Sequence, residues 1–351
     1  MGRLDDVQRG EGRAWGAVAR IGLSALSVAY GAALEARRLL HALGGRRPRR
    51  LPRPVVSVGN LAVGGTGKTP FTALLARLLL DGGRHPAILS RGYGPRVGPI
   101  GLSDEGAVLA HLLGPSVPQR EDPDRLRGGR ALLASHPEID VFLLDDGFQH
   151  WRLARNLDIV LLDATNPFGY GRLLPRGRLR ERPAALGRAD LLVLTRTGRV
   201  GADRIGEVRE RLGRVAPTTP VLEVRTRPVA FDRAGRQHGV ESLRGRAVFA
   251  CCGVGNPEAF VALLRDLGAD VVGRRFFADH ADPGQRGWET VLDAAQGAGA
   301  DVVVTTRKDA VKCPVLPAAV GVLDIDLEVT EGRQHLDAAL AALPRRSRPP
   351  A

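Results

Sequence analysis

From residue 54 onward, short apolar runs alternate with longer helical segments along the chain. The runs are rich in Val, Ile and Leu and predict buried strands. They are Pro54–Val58, Ala87–Ser90, Val141–Leu144, Asp158–Leu162 and Asp190–Leu194. Helical segments such as Pro70–Asp81 separate them, and this alternation is typical of a parallel sheet with helices on both faces. The pattern therefore predicts an α/β fold in which ligands gather at the carboxyl ends of the strands.

A second, smaller α/β unit is predicted to begin near residue 225. Its predicted elements are Ala247–Ala250, Pro257–Gly268, Asp270–Gly273, 286–298 and Asp301–Thr305. The segment 225–237 (RTRPVAFDRAGRQ) is interpreted as the connection between the two units. The predicted domains are an N-terminal helix region over 1–53, a core over 54–224, a second α/β domain over 225–343 and a disordered tail over 344–351.

The N-terminal region predicts a helix over residues 14–40. Residues Ile21–Leu34 are uncharged, and a group of arginines follows them. A cleaved secretory signal has its charge before the apolar stretch, so this order argues against one. The apolar stretch is also shorter than the roughly 20 residues that cross a bilayer. We expect a membrane-associated helix that lies at the surface with its arginines near anionic headgroups, and a helix packed on the protein's own core is the alternative.

Composition narrows the possible classes of function. Apolar residues make up 44% of the chain and charged residues 25%, as in ordinary globular proteins. The three cysteines, Cys251, Cys252 and Cys313, are too few and wrongly spaced for a disulfide framework or a zinc site. The net charge of +13 is concentrated in residues 1–54, which contain eleven arginines and four acidic residues. Aromatic residues are not interleaved with the basic ones, so nucleic-acid binding is not expected.

Lysine is scarce in this chain. Of the 51 Lys and Arg residues, only Lys68, Lys308 and Lys312 are lysine. A lysine ammonium is a compact charge on a flexible stem, so these positions are candidates for a function that arginine does not serve. Lys68 lies in a glycine-rich turn, whereas Lys308 and Lys312 share one motif with Asp309 to which the sequence assigns no role.

The most informative motif is VVSVGNLAVGGTGKTP, residues 55–70. A predicted strand enters a glycine-rich turn and Gly-Lys-Thr opens a predicted helix, which is the arrangement of a phosphate-binding P-loop. Backbone N–H groups would face the phosphates, Lys68 would neutralise β- and γ-phosphate oxygens, and Thr69 would ligand Mg²⁺. Ala62 replaces the first glycine of the strict pattern. The predicted nucleotide-binding residues are Gly64, Gly65, Thr66, Gly67, Lys68 and Thr69.

Two adjacent aspartates, Asp145 and Asp146, follow the strand predicted at Val141–Leu144. In P-loop enzymes a carboxylate at a strand end holds Mg²⁺ directly or through water. Adjacent side chains point in different directions, so either aspartate is a candidate metal ligand together with Thr69. These motifs predict a nucleotide hydrolase or kinase, and they leave the acceptor open.

Longer blocks of the chain resemble the tetraacyldisaccharide 4'-kinase family, the lipid A kinases. The blocks are PVVSVGNLAVGGTGKTP (54–70), LSRGYG (89–94), SDEGAVLA (103–110), DDGFQHWRLARNLDIVLLDA (145–164), FGYGRLLPRGRLRE (168–181), FADH (277–280) and KDAVK (308–312). The resemblance implies that the γ-phosphate of ATP moves to the 4'-hydroxyl of a tetraacyldisaccharide 1-phosphate in lipid A biosynthesis. It also implies a peripheral or monotopic protein at the cytoplasmic face of the inner membrane, with no obligate protein partner.

The resemblance implies roles for single residues as well. Asp104 matches the family's catalytic carboxylate, although its flanking residues differ, and on its own it would be interpreted as a helix N-cap. His280 matches the first histidine of a paired-histidine segment in which Ala281 replaces the second, and it is expected to tune the basicity of Asp104. Arg91, Arg172 and Arg176 are candidate contacts to substrate phosphates, with a solvated basic face as the alternative.

A membrane-associated switch ATPase of the partition or division-site type is the main alternative function. Such proteins share the Gly-Gly-x-Gly-Lys-[Ser/Thr] loop and reversible membrane helices. They also need a lysine before the double glycine, where this chain has Val63, and an amphipathic helix at the C-terminus. The sequence therefore favours the kinase.

Overall fold

The computed structural model describes residues 14–43, 48–92, 96–97, 101–278, 281–313 and 315–345. The helices are α1 (Ala14–Ala42), α2 (Lys68–Asp81), α3 (Asp104–Leu113), α4 (Arg125–Ser135), α5 (Ala202–Val215), α6 (Pro257–Asp266), α7 (Gly284–Gly297), α8 (Arg307–Ala310) and α9 (Arg333–Ala341). The strands are β1 (Val55–Asn60), β2 (Pro86–Ser90), β3 (Gln119–Glu121), β4 (Val141–Asp145), β5 (Leu157–Asp163), β6 (Leu191–Thr195), β7 (Val221–Arg233), β8 (Arg236–His238), β9 (Ala247–Cys252), β10 (Asp270–Phe276), β11 (Val302–Thr306) and β12 (Val320–Glu331). The predicted α/β class is confirmed.

The chain forms two compact units, each built from separate stretches of sequence. Unit 1 comprises Met1–Arg91, Ser116–Arg225 and Glu328–Ala351, and unit 2 comprises Gly92–Pro115 and Thr226–Leu327. One change of unit follows Arg225, one residue beyond the boundary predicted between 54–224 and 225–343. Those predicted domains are contiguous, however, whereas α3 and its flanking residues group with unit 2.

Unit 1 contains a parallel sheet with β1 near its centre. The strand order is β7-β6-β5-β1-β4-β2-β3, and Val58 of β1 lies opposite both Asp145 of β4 and Ile159 of β5. Every residue of β1 is buried. One apolar cluster packs β2 and β4 against α4, and another packs β5 and β6 against α5. Burial by helices explains why these strands are almost continuously apolar.

Unit 2 contains a second run of parallel strands in the order β10-β9-β11-β12. Alternate residues of β9 enter different apolar clusters: Val248 and Ala250 pack with α6, whereas Phe249 packs with α7. Successive side chains of a strand point to opposite faces, so helices cover both faces of this sheet as well. Trp288 of α7 is 1% exposed and belongs to the second cluster.

The segment 225–237 is not a plain connection, and that prediction is wrong. Most of it belongs to β7, and β8 pairs antiparallel with the end of β7. Arg233 lies opposite Arg236, so Ala234 and Gly235 form a two-residue turn, with φ of 51° and 73°. Positive φ at both positions is typical of the type I′ hairpin turn. Alanine is an unusual residue for that turn, and the sequence therefore gave little sign of the hairpin.

The predicted N-terminal helix is present as α1. Ser27 Oγ donates to the carbonyl of Leu173 (2.9 Å) and the Tyr30 hydroxyl donates to that of Arg180 (3.0 Å). One side of α1 therefore contacts the loop at residues 173–180 of the same unit. Large apolar side chains elsewhere on α1 are 58–73% exposed: Ile21, Leu26, Val28, Leu39 and Leu40. The alternative interpretation, a helix packed on the protein's own core, thus applies to the side of α1 that carries Ser27 and Tyr30. Within the described ranges, no helix is long and apolar enough to cross a membrane.

Candidate active site

The glycine-rich loop joins the end of β1 to the N-terminus of α2. The helix begins at Lys68, two residues before the predicted start. Gly64 (φ 117°) and Gly67 (φ 86°) have left-handed backbone conformations that other residues rarely adopt. Gly67 is the N-cap and has no side chain to cap the first N–H groups of α2. Those groups and the positive end of the helix dipole give the start of α2 the polarity that an anion favours.

Backbone hydrogen bonds to the segment 178–180 hold the loop in this shape. The N–H of Val63 donates to the carbonyl of Arg178, and the N–H of Arg180 donates to that of Leu61, both at 2.8 Å. Between these bonds, Ala62 and Leu179 form an isolated antiparallel bridge. Ala62 is buried and is not among the residues with positive φ. An alanine is therefore compatible with the position where the strict pattern has glycine.

A buried side-chain hydrogen bond ties the loop back to its strand. Asn60 Nδ2 donates to Thr66 Oγ1 at 3.0 Å, and the two residues are 0% and 6% exposed. The N–H of Thr66 also donates to the carbonyl of Gly64 at 3.0 Å. Both the hydroxyl and the N–H of Thr66 are thus used inside the loop, where they hold its shape.

The two aspartates after β4 have different surroundings, as adjacent residues in a strand end should. Asp145 is 2% exposed and accepts a hydrogen bond from Thr72 Oγ1 of α2 at 3.3 Å. Asp146 has a φ of 54° and lies between two cations: Lys68 Nζ is 3.5 Å from Oδ1, and Arg180 Nη1 is 2.9 Å from both carboxylate oxygens. Burial disfavours the charge of Asp146, but Lys68 and Arg180 outweigh it and lower the pKa of Asp146.

The oxygen donors beside the loop fit a magnesium ion. Thr69 lies three residues before Thr72, hence on the side of α2 that faces Asp145. Hydroxyl and carboxylate oxygens are the ligands that Mg²⁺ prefers. Among the described residues, no group of three or more His, Cys, Asp or Glu side chains is arranged to hold a metal alone. The Thr69 hydroxyl with one or two aspartates suits Mg²⁺, because this ion is commonly held by one or two carboxylates together with substrate phosphates.

A polar network next to Asp146 was not anticipated in detail from the sequence. Gln149 Nε2 donates to the carbonyl of Asn60 (3.0 Å) and to Glu181 Oε1 (3.1 Å). Arg188 Nη2 donates to both carboxylate oxygens of Glu181 at 3.2 and 3.0 Å. Gln149 belongs to the DDGFQH block and Glu181 to the LLPRGRLRE block. The resemblance of both blocks to one family was the only sequence signal that could have pointed to these two residues.

Arg196 is a further residue that sequence reasoning missed. Its Nη2 donates to the carbonyl of Gly65 at 2.5 Å, and its Nη1 pairs with Asp163 Oδ2. Arg196 has a φ of 59° and follows β6 directly. Its place at the carboxyl end of a parallel strand was the only sequence signal, because ligands gather at that edge.

In unit 2, Asp104 is the first residue of α3 and is 1% exposed. It is not the N-cap: Ser103 takes that role, and its hydroxyl accepts from the N–H of Gly106 at 3.1 Å. Asp104 Oδ1 accepts from the N–H of Glu105 at 3.0 Å, and Oδ2 lies 3.7 Å from Lys308 Nζ. The interpretation of Asp104 as the N-cap of this helix is therefore wrong, because Ser103 caps it.

The remaining predicted residues are less constrained. His280 lies outside the described residues. Arg91 is exposed just after β2, and Arg172 is exposed in the loop after residue 168. The backbone N–H of Arg176 donates to Ser27 Oγ of α1 at 3.0 Å. The roles given to these residues stay predictions.

Comparison with known proteins identifies the family. The sequence profile of the family described as tetraacyldisaccharide-1-P 4'-kinase matches residues 19–344. This chain belongs to that family. It is 42% identical over 347 residues to the tetraacyldisaccharide 4'-kinase of Anaeromyxobacter dehalogenans strain 2CP-C, covering 93% of this chain and 91% of the relative. The corresponding protein of Geobacter metallireducens is 40% identical over 311 residues, covering 84% and 89%.

A solved structure supports the same family. The crystal structure of LpxK from Aquifex aeolicus in complex with ATP is similar to this fold with a TM-score of 0.70 and 30% identity, over 92% of this chain and 98% of that one. Membership of the tetraacyldisaccharide 4'-kinase family confirms the predicted enzyme class, a phosphotransferase with an alcohol acceptor in lipid A biosynthesis. It disfavours the alternative of a switch ATPase.

Proposed function

We propose that this member of the family uses the loop at residues 64–69 to bind ATP and transfers its γ-phosphoryl group to the 4'-hydroxyl of a tetraacyldisaccharide 1-phosphate. The observation that carries this proposal is the convergence of an uncapped helix N-terminus, a positive-φ glycine loop and the Lys68 ammonium, which is 3.5 Å from Asp146. The relatives are tetraacyldisaccharide 4'-kinases, which supports the acceptor, and the ATP complex of the Aquifex protein supports the donor.

The nucleotide side of the reaction follows from charge. N–H groups of Gly64, Gly65 and Gly67 bind phosphate oxygens, while Thr66 braces the loop through its own hydrogen bonds. Lys68 neutralises the charge that develops between the β- and γ-phosphates. Asp146 pairs with Lys68 and so holds the ammonium at the loop. Thr69 with Asp145 or Asp146 would hold Mg²⁺, which supplies further neutralisation of the triphosphate when it is bound.

The acceptor side depends on a base and on anion contacts. Asp104 orients the 4'-hydroxyl and accepts its proton, and His280 tunes the basicity of Asp104. Arg91, Arg172 and Arg176 bind the phosphate of the lipid or the phosphates of ATP. The loop that carries Arg172 and Arg176 is bonded both to α1 and to the glycine loop, which supports a path from the N-terminal helix to the nucleotide.

The exposed side of α1 is the surface that would contact a lipid bilayer. Ile21 and Val28 are seven residues apart, hence on one face of the helix, and they are 72% and 73% exposed. Arginines flank this helix in sequence and suit anionic headgroups. The enzyme then acts as a peripheral or monotopic protein at the cytoplasmic face of the inner membrane, where it meets its acylated substrate.

A direct assay tests the reaction. The protein is incubated with ATP, Mg²⁺ and tetraacyldisaccharide 1-phosphate, and the lipid is analysed by mass spectrometry for the gain of one phosphoryl group. Lys68→Met should lower kcat at least ~100-fold, because it removes transition-state charge stabilisation. Arg333→Met removes a cation from an exposed ion pair with Asp337 and should leave kcat unchanged. Release of phosphate from ATP without a phosphorylated lipid would contradict the proposal.

Vesicle binding tests the surface of α1. Ile21→Glu together with Val28→Glu places two charges on the exposed face and should release the protein from anionic vesicles. Val315→Glu, at an apolar side chain that is 83% exposed in unit 2, is the matched control and should still bind. Equal retention of both variants would rule out α1 as the contact surface.

A further inference from the structure

All three lysines of the chain are paired with aspartates. The Nζ–Oδ distances are 3.5 Å for Lys68 and Asp146, 3.7 Å for Lys308 and Asp104, and 2.9 Å for Lys312 and Asp309. Arginine provides the cation in the other Lys or Arg ion pairs among the described residues, such as Arg84 with Asp140. In each of these three pairs a compact ammonium lies beside an aspartate, and Lys68 lies in the P-loop.

Lys308 faces the carboxylate to which the proposed reaction assigns the acceptor proton. Asp104 is 1% exposed, and burial of a carboxylate costs several kcal/mol unless charge and hydrogen bonds compensate it. Oδ1 accepts from the N–H of Glu105, and Oδ2 faces Lys308 Nζ. The two carboxylate oxygens thus have different partners. The side chain of Lys308 is 21% exposed whereas that of Asp104 is 1% exposed, so solvent reaches the ammonium and not the carboxylate.

Neighbours of Lys308 fix the short helix α8 on which it is carried. Arg307 donates to both oxygens of Asp324 on β12, at 2.8 and 2.6 Å. Asp309 Oδ2 accepts from the N–H of Gly253 (2.9 Å) and from Thr306 Oγ1 (2.7 Å). The backbone at Lys308 is therefore held from both sides, which limits where its ammonium can lie.

Lys312 extends the same arrangement to the chain next to His280. Its Nζ donates to Asp309 Oδ1 (2.9 Å) and to the carbonyl of Ala281 (3.2 Å), and its side chain is 1% exposed. One motif, Lys308 to Lys312, thus contacts Asp104 and also the residue that follows His280. The family resemblance singled out Asp104 and His280 for catalysis.

We propose that Lys308 is a positioning residue for phosphoryl transfer: its ammonium aligns the Asp104 carboxylate and compensates its buried charge, while the Asp309–Lys312 pair fixes the helix that carries it. This inference rests on the proposed function, in which Asp104 acts on the acceptor hydroxyl. In that step the hydroxyl O–H bond breaks and its proton passes to Asp104. The acceptor oxygen forms a bond to the γ-phosphorus, and the bond from that phosphorus to the β–γ bridging oxygen breaks to release ADP.

A double-mutant cycle separates positioning from a general structural role. Asp104→Asn should lower kcat by about 100-fold or more, the usual contribution of a general base. Lys308→Met should lower kcat about 10- to 100-fold with the KM for ATP within about twofold of the original, because a misplaced base costs turnover and not nucleotide binding. In the Asp104→Asn background, Lys308→Met should change kcat by less than about twofold. Lys308→Arg keeps the charge but spreads it over a planar group, so it should recover only part of the loss.

Each other outcome has one meaning. An equal loss from Lys308→Met in both backgrounds, or a loss that appears in the KM for ATP, would overturn the positioning role. Full activity of Lys308→Met beside an inactive Asp104→Asn variant would overturn it as well, and would leave the proposed function intact. Full activity of Asp104→Asn would instead remove Asp104 from the proposed function.

Two controls guard against loss of folding. Arg274→Met removes a cation from an exposed pair with Glu258 in the same unit, and it should leave kcat unchanged. Lys308→Gln keeps a polar side chain without the charge, so it should reproduce the loss of kcat seen with Lys308→Met at an unchanged thermal midpoint. Normal turnover of Lys308→Gln would overturn the proposal.

Discussion

Replacing Lys312 with methionine should destabilise unit 2 more than any surface substitution, because it strands a buried charge. The side chains of Lys312 and Asp309 are both 1% exposed, and Nζ and Oδ1 are 2.9 Å apart. Removing one partner of such a pair typically costs about 3–5 kcal/mol, since the remaining charge is buried without its counter-ion. The lost hydrogen bond to the carbonyl of Ala281 adds about 1 kcal/mol.

The hydrogen bonds that Asp309 keeps bring the expected cost toward the lower end of this range. The N–H of Gly253 and the hydroxyl of Thr306 still donate to its Oδ2 after the substitution. We therefore expect a loss of about 3 kcal/mol in the free energy of unfolding for Lys312→Met. Adding Asp309→Asn removes the stranded charge while its amide oxygen still accepts those bonds, so the double variant should recover about 2 kcal/mol.

Equilibrium unfolding in urea measures this difference. Trp288 is buried in unit 2, and replacing Trp15 and Trp151 with phenylalanine leaves it as the only tryptophan to report. With an m-value of about 2 kcal/mol/M, the midpoint should fall by about 1.5 M for Lys312→Met. A loss below about 1 kcal/mol, or a double variant whose loss equals the sum of the two single losses, would refute the reasoning.

Three further changes test the core of unit 1. Thr66→Val keeps the shape of the side chain but leaves Asn60 Nδ2 buried without its acceptor, so unfolding free energy should fall by about 1–3 kcal/mol in urea titrations. Gly59→Ala puts a Cβ 2.5 Å from Cβ and 2.6 Å from the backbone nitrogen of Phe148, so we expect a loss of at least about 1–3 kcal/mol and weaker ATP binding by calorimetry. Burial raises the pKa of Asp158 to about 6, so its protonated form stabilises the fold fully below about pH 4 and this contribution is lost as pH rises through 6. Between pH 4 and pH 7 the free energy of unfolding of the original protein should therefore fall by about 3 kcal/mol from this group, and the Asp158→Asn variant should lack that fall.

Each of these changes has a result that would contradict it. Gly213→Ala lies in open space inside α5 and should stabilise by about 0.5–1 kcal/mol, so a similar effect at Gly59 would contradict the predicted clash. Unchanged stability of Thr66→Val would show that the bond to Asn60 is not needed. An identical pH dependence with and without the Asp158 carboxyl would assign the titration to another group.

The nucleotide loop could be predicted because every part of it is local in sequence. A buried strand, positive-φ glycines and the start of a helix follow one another within residues 55–70, and each has its own residue signal. The carboxylates of Asp145 and Asp146 could be placed beside the loop because parallel strands end at one edge. The geometry agrees with that placement, with Asp146 beside Lys68 and Asp145 beside α2.

The partners of these residues could not be predicted, because they come from distant parts of the chain. Asp104 and Lys308 are brought together only by tertiary packing of α3 on α8. Arg196 reaches the loop from the end of β6 through a left-handed backbone that arginine rarely adopts. The hairpin of β7 and β8 was missed because its turn lacks the usual Asn-Gly pair and its strands carry many charged residues.

The path of the chain between the units has a consequence for biosynthesis. The ribosome releases Gly92–Pro115 early, yet the rest of unit 2 follows only from Thr226. At 5–20 residues per second, α3 emerges roughly 10 to 40 s before Lys308 is made. During that interval α3 lacks its packing partner α8, so the Asp104–Lys308 pair can form only after residue 308 has been made. For the same reason, a gene divided after codon 225 would encode two halves that each lack part of a unit.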